Sequence, residues 1–273
     1  MPSYVLITGA LGGIGTRMAH ELARRGYSLW LVDQRPDEQA FAAEIQRIYT
    51  VETRFTALDV TSAPAREDFL QAQAAAGTRF CGLIHIAGRD FEGAFLEKSR
   101  DQIVYLSRLI IEANLDLTHG LLSLRDPDRR FLLISISSLA GFFPMPYKAT
   151  YAAAKRFLLD FSRAMHEEIG EFADVLAVCP AGLPTTAESR RKIAAQGFWG
   201  RVTTVDTDRV VRRAVELALR GRAVYVPGVL SQIFAALGGL LPPGWVALWV
   251  GRRWRSAQQK VRAMQQAQGG QET

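Results

Sequence analysis

Seven short runs of β-branched and other apolar residues, separated by longer stretches of helical periodicity, limit this chain more than any other feature. They read YVLITG, SLWLVD, TRFTALDV, CGLIHIAG, RRFLLISISS, ADVLAVCPAG and RAVYVPG. Near-continuous apolar strands belong in a parallel sheet buried on both faces. Right-handed crossovers then wind helices onto both sides of it, and ligands sit at the carboxyl ends of the strands. Helices are predicted from about Ile14 to Arg25 and through DEQAFAAEIQRIY, RDQIVYLSRLIIEANLDLTHGLLSL, TYAAAKRFLLDFSRAMHEEIG and VDTDRVVRRAVELALRG. The last of these opens on an Asp-Thr-Asp cap. No repeat and no linker divides the 273 residues, so a single α/β domain is expected.

Composition narrows the classes of function. With 48% apolar and 22% charged residues, the chain has an ordinary globular balance. Its net charge of +6 comes from scattered arginines, apart from Arg252, Arg253 and Arg255. No aromatic-rich basic motif accompanies them, which argues against a nucleic-acid partner. Cys81 and Cys179 lie in apolar runs and read as core thiols in a reducing compartment. His20, His85, His119 and His166 lack metal-ligand spacing, so no metal is expected. The first apolar segment is short and broken by glycine, unlike a secretory signal, which predicts a cytoplasmic chain.

The turn after the first strand reads TGALGGIG. Small residues there let backbone N–H groups approach a pyrophosphate at the positive end of the first helix. Two spacings fit, Gly9-Gly13-Gly15 and Gly9-Gly12-Gly15, and glycines alone do not choose between them. The commoner G-x-G-x-x-G would need a glycine at Met18, and no Lys-Ser or Lys-Thr follows to make a P-loop. Asp33 ends the second strand, where a carboxylate accepts hydrogen bonds from adenosine ribose hydroxyls and repels a 2′-phosphate. NAD is therefore favoured over NADP, although Arg35 is close enough to pair with that phosphate. Asp59 and Val60, at the end of the third strand, are placed to touch adenine, and Asp59 equally well caps the next helix.

The second signal lies in ISISSLAGFFPMPYKATYAAAKRFLL. Tyr151 and Lys155 are one helical turn apart on a shared face, and Ser138 ends the fifth strand. A phenol is a poor base at neutral pH, but a nearby ammonium favours its phenolate. Such a tyrosine exchanges a proton with a carbinol oxygen, which a serine hydroxyl can also hold.

With these pieces in order, residues 3 to 228 resemble the short-chain dehydrogenase/reductase family, in its compact single-domain branch. The matching residues are Thr8-Gly9-x-x-x-Gly13-Ile14-Gly15, Asp59-Val60, Ala87-Gly88, Asn114, Ser137-Ser138-x-Ala140-Gly141 and Tyr151-x-x-x-Lys155. The resemblance implies a Rossmann-type sheet of about seven strands with helices on both faces. It also implies a catalytic tetrad of Asn114, Ser138, Tyr151 and Lys155. Tyr151 would be the acid/base, Ser138 would position the substrate oxygen, Lys155 would bind the nicotinamide ribose, and Asn114 would hold a relay water. It selects the Gly9-Gly13-Gly15 spacing, since the extended branch needs a longer chain. Gly12, where an NADP preference often brings a basic residue, again leans towards NAD. Two departures stand out: His85-Ile86 replaces the family's Asn-Asn before Ala87-Gly88, and Ala181 replaces the glycine after Pro180. His85 is expected to be a structural substitute at the edge of the core. Nicotinamide contacts are implied for Pro180, Leu183 and Thr185, and a homodimer or homotetramer for the assembly.

The segment LPTTAESRRKIAAQGFWGRVTTVD is expected to form a lid over the substrate, with Phe198 and Trp199 supplying an apolar wall. Residues 229–264 form an apolar and then basic extension, and 265–273 a disordered tail. No charge occurs from Ala223 to Gly251, yet Pro242-Pro243-Gly244 interrupts any spanning helix. The extension either covers the pocket or a subunit interface, the favoured alternative, or meets a membrane surface through Trp245, Trp249 and Trp254. The expected activity is NAD(P)-dependent hydride transfer between nicotinamide and an apolar secondary alcohol or ketone. The alternatives are a dinucleotide-binding regulator without catalysis and a membrane-surface enzyme acting on lipid.

Overall fold

The computed structural model describes residues 2–37, 40–184 and 205–252. One parallel sheet runs in the order β3-β2-β1-β4-β5-β6-β7. Its strands are β1 (Ser3–Thr8), β2 (Ser28–Asp33), β3 (Thr53–Ala57), β4 (Arg79–His85), β5 (Phe131–Ile136), β6 (Ala173–Val178) and β7 (Val224–Tyr225). The order reverses between β1 and β4, and the crevice beyond their carboxyl ends is where an open sheet of this kind takes its ligand. The expected doubly wound architecture is therefore present.

Alternation along the strands divides the core. Val5 and Ile7 of β1 face one layer with Leu29, Ile84 and Leu176, while Tyr4 and Leu6 face the other with Leu83 and Leu133. Helices α1 (Gly13–Arg24), α2 (Phe41–Tyr49) and α7 (Thr207–Ala218) cover the first layer through Met18, Leu22, Ile45, Val211 and Val215. Helices α3 (Ala63–Ala75), α4 (Arg100–Ser107), α5 (Ala113–Ser123) and α6 (Ala149–Glu168) cover the second through Phe69, Leu106, Leu117 and Leu158. β1, β5 and β6 are buried along their whole lengths, which accounts for their uninterrupted apolar sequences. Cys81 and Cys179 are buried and unpaired.

Some boundaries differ from the sequence pattern. β3 stops at Ala57, so Asp59 lies in a tight turn and accepts from the N–H and hydroxyl of Thr61. The cap of α3 is Ser62, whose hydroxyl accepts from Ala65, not Asp59. β7 keeps two residues, because Pro227 lacks a donor and Gly228 turns the chain at φ +86°. Helix α7 begins as expected, Asp206 accepting from the N–H of Arg209 at 2.7 Å.

The largest difference is in residues 100–123, which read as one helix. A π-turn over Arg108–Glu112 separates α4 from α5, with the Ala113 N–H reaching the Arg108 carbonyl five residues back. Buried Arg66 of α3 holds this region: it pairs with Glu112 and Asp116 and donates to the carbonyl of Val60 at 2.8 Å.

Candidate active site

The glycine turn is built by close approach. Gly9 adopts φ +66°, and a Cβ there would lie 3.0 Å from the backbone nitrogen of Ala87, so the turns after β1 and β4 touch. A Cβ on Gly15 would lie 2.1 Å from the Gly9 carbonyl oxygen and 2.8 Å from Ala10 backbone atoms. Because those neighbours are backbone, Gly15→Ala is expected to cost about 1–3 kcal/mol and to weaken dinucleotide binding. Urea unfolding together with cofactor titration checks both effects, and a variant as stable as the parent would show that the turn relaxes. Gly13 opens α1 and Ile14 packs against the core, while Gly12 caps the helix without a side chain. No acidic residue occupies that first turn, so its N–H groups face a site suited to an anion.

Asp33 is buried at the end of β2. It accepts from the N–H of Leu11 at 3.0 Å and from the Arg35 guanidinium at 3.1 Å. Asp59 is exposed, whereas the Val60 side chain is buried in the core.

On the opposite side of the crevice, α6 presents Tyr151 and Lys155 together. The Lys155 ammonium lies 5.7 Å from the centre of the Tyr151 ring, and the Ser138 hydroxyl is near enough to the phenol to favour its ionised form. Ser138 also accepts from the Ala140 N–H at 3.1 Å and donates to the Pro180 carbonyl at 3.5 Å, which joins the loops after β5 and β6. Lys155 is 4% exposed and donates to the Ile136 carbonyl at 2.7 Å. Gly88 lies against its ammonium, since a Cβ there would be 3.4 Å away. Ser137 donates to the Lys155 carbonyl at 2.6 Å, and Gly141 permits the same close approach to α6. These contacts explain why small residues surround Ser138 in the sequence.

Asn114 follows the π-turn directly and is buried. Its amide donates to Ser135 at 3.5 Å, and its Oδ1 has no hydrogen-bond partner among the described residues. An orphaned buried acceptor of this kind suits a bound water. His85 is buried too, with Nε2 at 3.2 Å from the Thr118 hydroxyl and its ring close to the Asn114 backbone. It therefore braces α5, the structural role expected of it. Leu183 packs on the core and Pro180 is buried, whereas Thr185, Phe198 and Trp199 lie outside the described residues.

Burial dominates the electrostatics. The Lys155 amine is lowered to about 8 by desolvation, and His85 to about 3 by desolvation together with the Lys155 charge. Tyr151 is raised, first by burial and then by the Asp90 carboxylate, with Ser138 and Lys148 opposing. The expected lowering by a neighbouring ammonium is thus outweighed, and the phenol stays protonated. Asp90, Glu92 and Lys148 escaped the sequence pattern. Lys148 pairs with Asp90 at 2.7 Å and with Glu92, and its ammonium lies 5.9 Å from the Tyr151 ring centre. Its position three residues before Tyr151, on the same helical face, was the available signal.

Comparison with known proteins identifies the family. The family model for short chain dehydrogenases matches residues 3–195. A very-long-chain 3-oxoacyl-CoA reductase from Schizosaccharomyces pombe is 30% identical over 179 residues, covering 61% of this chain and 52% of that protein. One of the same name from Coprinopsis cinerea is 29% identical over 170 residues, covering 61% and 50%. The chain thus spans about half the length of these curated relatives. A short-chain dehydrogenase from Sphingobium yanoikuyae, solved in complex with NADPH, is 26% identical with a TM-score of 0.73, covering 88% of this chain and 95% of that one. The match over most of its length, on a seven-stranded parallel sheet, places this chain in the short-chain dehydrogenase/reductase family of NAD(P)-dependent oxidoreductases.

Proposed function

We propose that the protein reduces a ketone carried on an apolar chain, and the observation carrying this is the convergence of Tyr151, Ser138 and Lys155 beside Gly88. The turn fits a dinucleotide: Gly9 and Gly15 let backbone segments approach too closely for any Cβ, and the first turn of α1 is free of acid. Gly9, Gly13, Ile14, Gly15, Asp33, Asp59, Val60, Ala87 and Gly88 would hold the cofactor, with Pro180, Leu183 and Thr185 at its nicotinamide end. When bound, the nicotinamide supplies the hydride. The chain's own residues handle the oxygen and the proton. Ser138 holds the carbonyl oxygen, and Tyr151, kept protonated by burial, donates to it as negative charge develops there. Lys155 holds the ribose and its charge assists the loss of the phenolic proton. Asn114 retains a water through its unpartnered oxygen, so that a proton can return to the site.

Burial raises Tyr151 and keeps its phenol protonated, the form that donates to a carbonyl oxygen during reduction. The names of the fungal relatives extend the substrate class to long 3-oxoacyl thioesters. For the cofactor, buried Asp33 supports NAD, while the Arg35 guanidinium on that carboxylate is available to a 2′-phosphate and supports NADP. The experiment measures NADH and NADPH oxidation with 3-oxoacyl-CoAs of increasing chain length and with simple ketones. Turnover is expected to favour longer chains. Tyr151→Phe should lower kcat by about 10²–10⁴-fold while still binding the dinucleotide. Unchanged turnover in that variant would overturn the assignment.

A further inference from the structure

Helix α8 (Val229–Leu240) and the helical stretch over 243–252 present an apolar outer face. In α8, Val229, Ile233 and Leu237 recur every fourth residue and are exposed. In the second stretch Trp245, Leu248 and Trp249 share a face, with Trp245 73% and Leu248 62% exposed. Both inner faces rest on the loop that follows Ser138. A Cβ on Gly238 would lie 2.5 Å from the Phe143 ring, and one on Gly251 would lie 3.3 Å from Pro146. The exposed faces therefore lie away from this loop. None of the described helices is long and apolar enough to cross a membrane.

Basic groups frame this face. Where α8 begins, an open groove of about 510 Å³ is lined by Arg209, Arg212 and Arg213 together with Val229 and Gln232. Arg213 pairs with Glu216, the carboxylate of that groove. Arg209 and Arg212 make no ion pair among the described residues. At the other end stands exposed Arg252, and the sequence continues with Arg253, Arg255, Lys260 and Arg262 before its next acid, Glu272.

We propose that this face docks onto an anionic lipid bilayer, lying in its interface without spanning it. Exposed tryptophan and leucine side chains would enter the boundary of headgroups and acyl chains, while Arg209 and Arg212 meet lipid phosphates. Charge decides against a second copy of the chain. A two-fold interface sets a patch against itself, which would bring arginines of one copy towards those of the other. An anionic surface complements apolar and basic parts alike.

Co-sedimentation of the full chain with vesicles tests this, using phosphatidylcholine alone and phosphatidylcholine doped with phosphatidylglycerol. The chain is expected to partition onto the doped vesicles, less so as salt is raised. Arg209→Gln with Arg212→Gln should weaken that partition by about fivefold for each arginine removed. Trp245→Glu with Leu248→Glu should weaken binding to both vesicle types by more than about tenfold. Circular dichroism and thermal midpoints establish that these exposed substitutions leave the fold intact. Three results would overturn the proposal. They are a parent chain that stays in the supernatant with doped vesicles, a double variant that binds like the parent, or a parent dimer that Trp245→Glu with Leu248→Glu splits into monomers.

Discussion

Lys155→Met is expected to make the protein more stable at pH 7 by about 1–2 kcal/mol while lowering turnover in the proposed reduction by roughly 10²-fold or more. The lysine is buried and its amine is lowered from 10.5 to about 8, a displacement equivalent to about 3 kcal/mol. Removing the ammonium also strips the Ile136 carbonyl of its donor, which returns about 1 kcal/mol of that gain. The sign follows from linkage. Below pH 8 the amine is protonated in both states, and the folded state bears the whole cost of burying it. Between pH 8 and 10.5 the folded state releases its proton first, so the parent gains stability and the advantage of methionine shrinks. Urea unfolding of both proteins across that window checks the prediction, with the slope of the transition unchanged. A methionine variant less stable than the parent at pH 7 would show that the buried ammonium is a net support of the fold. The chain thus keeps a group that costs stability at the place where its proposed chemistry needs a cation.

His85→Asn carries the second large effect, on the acid side. The histidine is lowered from 6.5 to about 3 because burial and the nearby Lys155 charge both disfavour its charged form. As pH falls below 6.5 the unfolded chain takes up a proton that the folded chain refuses, and stability drops by about 1.4 kcal/mol per pH unit until about pH 3. At pH 4.5 this amounts to about 3 kcal/mol. Asparagine has no such titration and still offers an amide towards Thr118 and the backbone of Asn114. The variant is expected to lose much less stability than the parent between pH 7 and 4.5, as read by urea midpoints. Carboxylates lowered by arginine or tyrosine partners, such as Glu21 and Glu52, weaken both proteins in acid and cancel in the comparison. Parallel acid limbs would place the acid sensitivity elsewhere.

The sheet was legible because β1, β5 and β6 are buried on both faces, and two-sided burial leaves uninterrupted apolar runs in a sequence. Gly9, Gly15, Ser138, Tyr151 and Lys155 were legible for a different reason. Each is demanded locally, by positive φ, by a backbone approach, or by the pitch of one helix. What stayed hidden depends on distant partners. Nothing near Asp90 announces that it meets Lys148 across fifty-eight residues, and burial of Tyr151 is a property of everything packed around it. For that reason the lowering that a neighbouring ammonium implies is legible locally, whereas the burial that outweighs it is not. The effect of Asp33 on cofactor choice was half visible: the carboxylate could be placed, but not the guanidinium already resting on it.

The π-turn before Asn114 has a consequence for where that residue faces. It takes up one residue more than a regular helix would over Arg108–Glu112. Were this turn wound as ordinary α-helix with all its residues kept, everything on one side of it would rotate by about 100° relative to the other. Glu112 and Asp116 could then no longer hold Arg66 together with the α4 packing, and Asn114 would lose its place beside Ser135. The π-turn is thus a requirement separate from residue identity: a chain with every site residue intact, but with this turn wound as regular α-helix, would present Asn114 to the wrong neighbours.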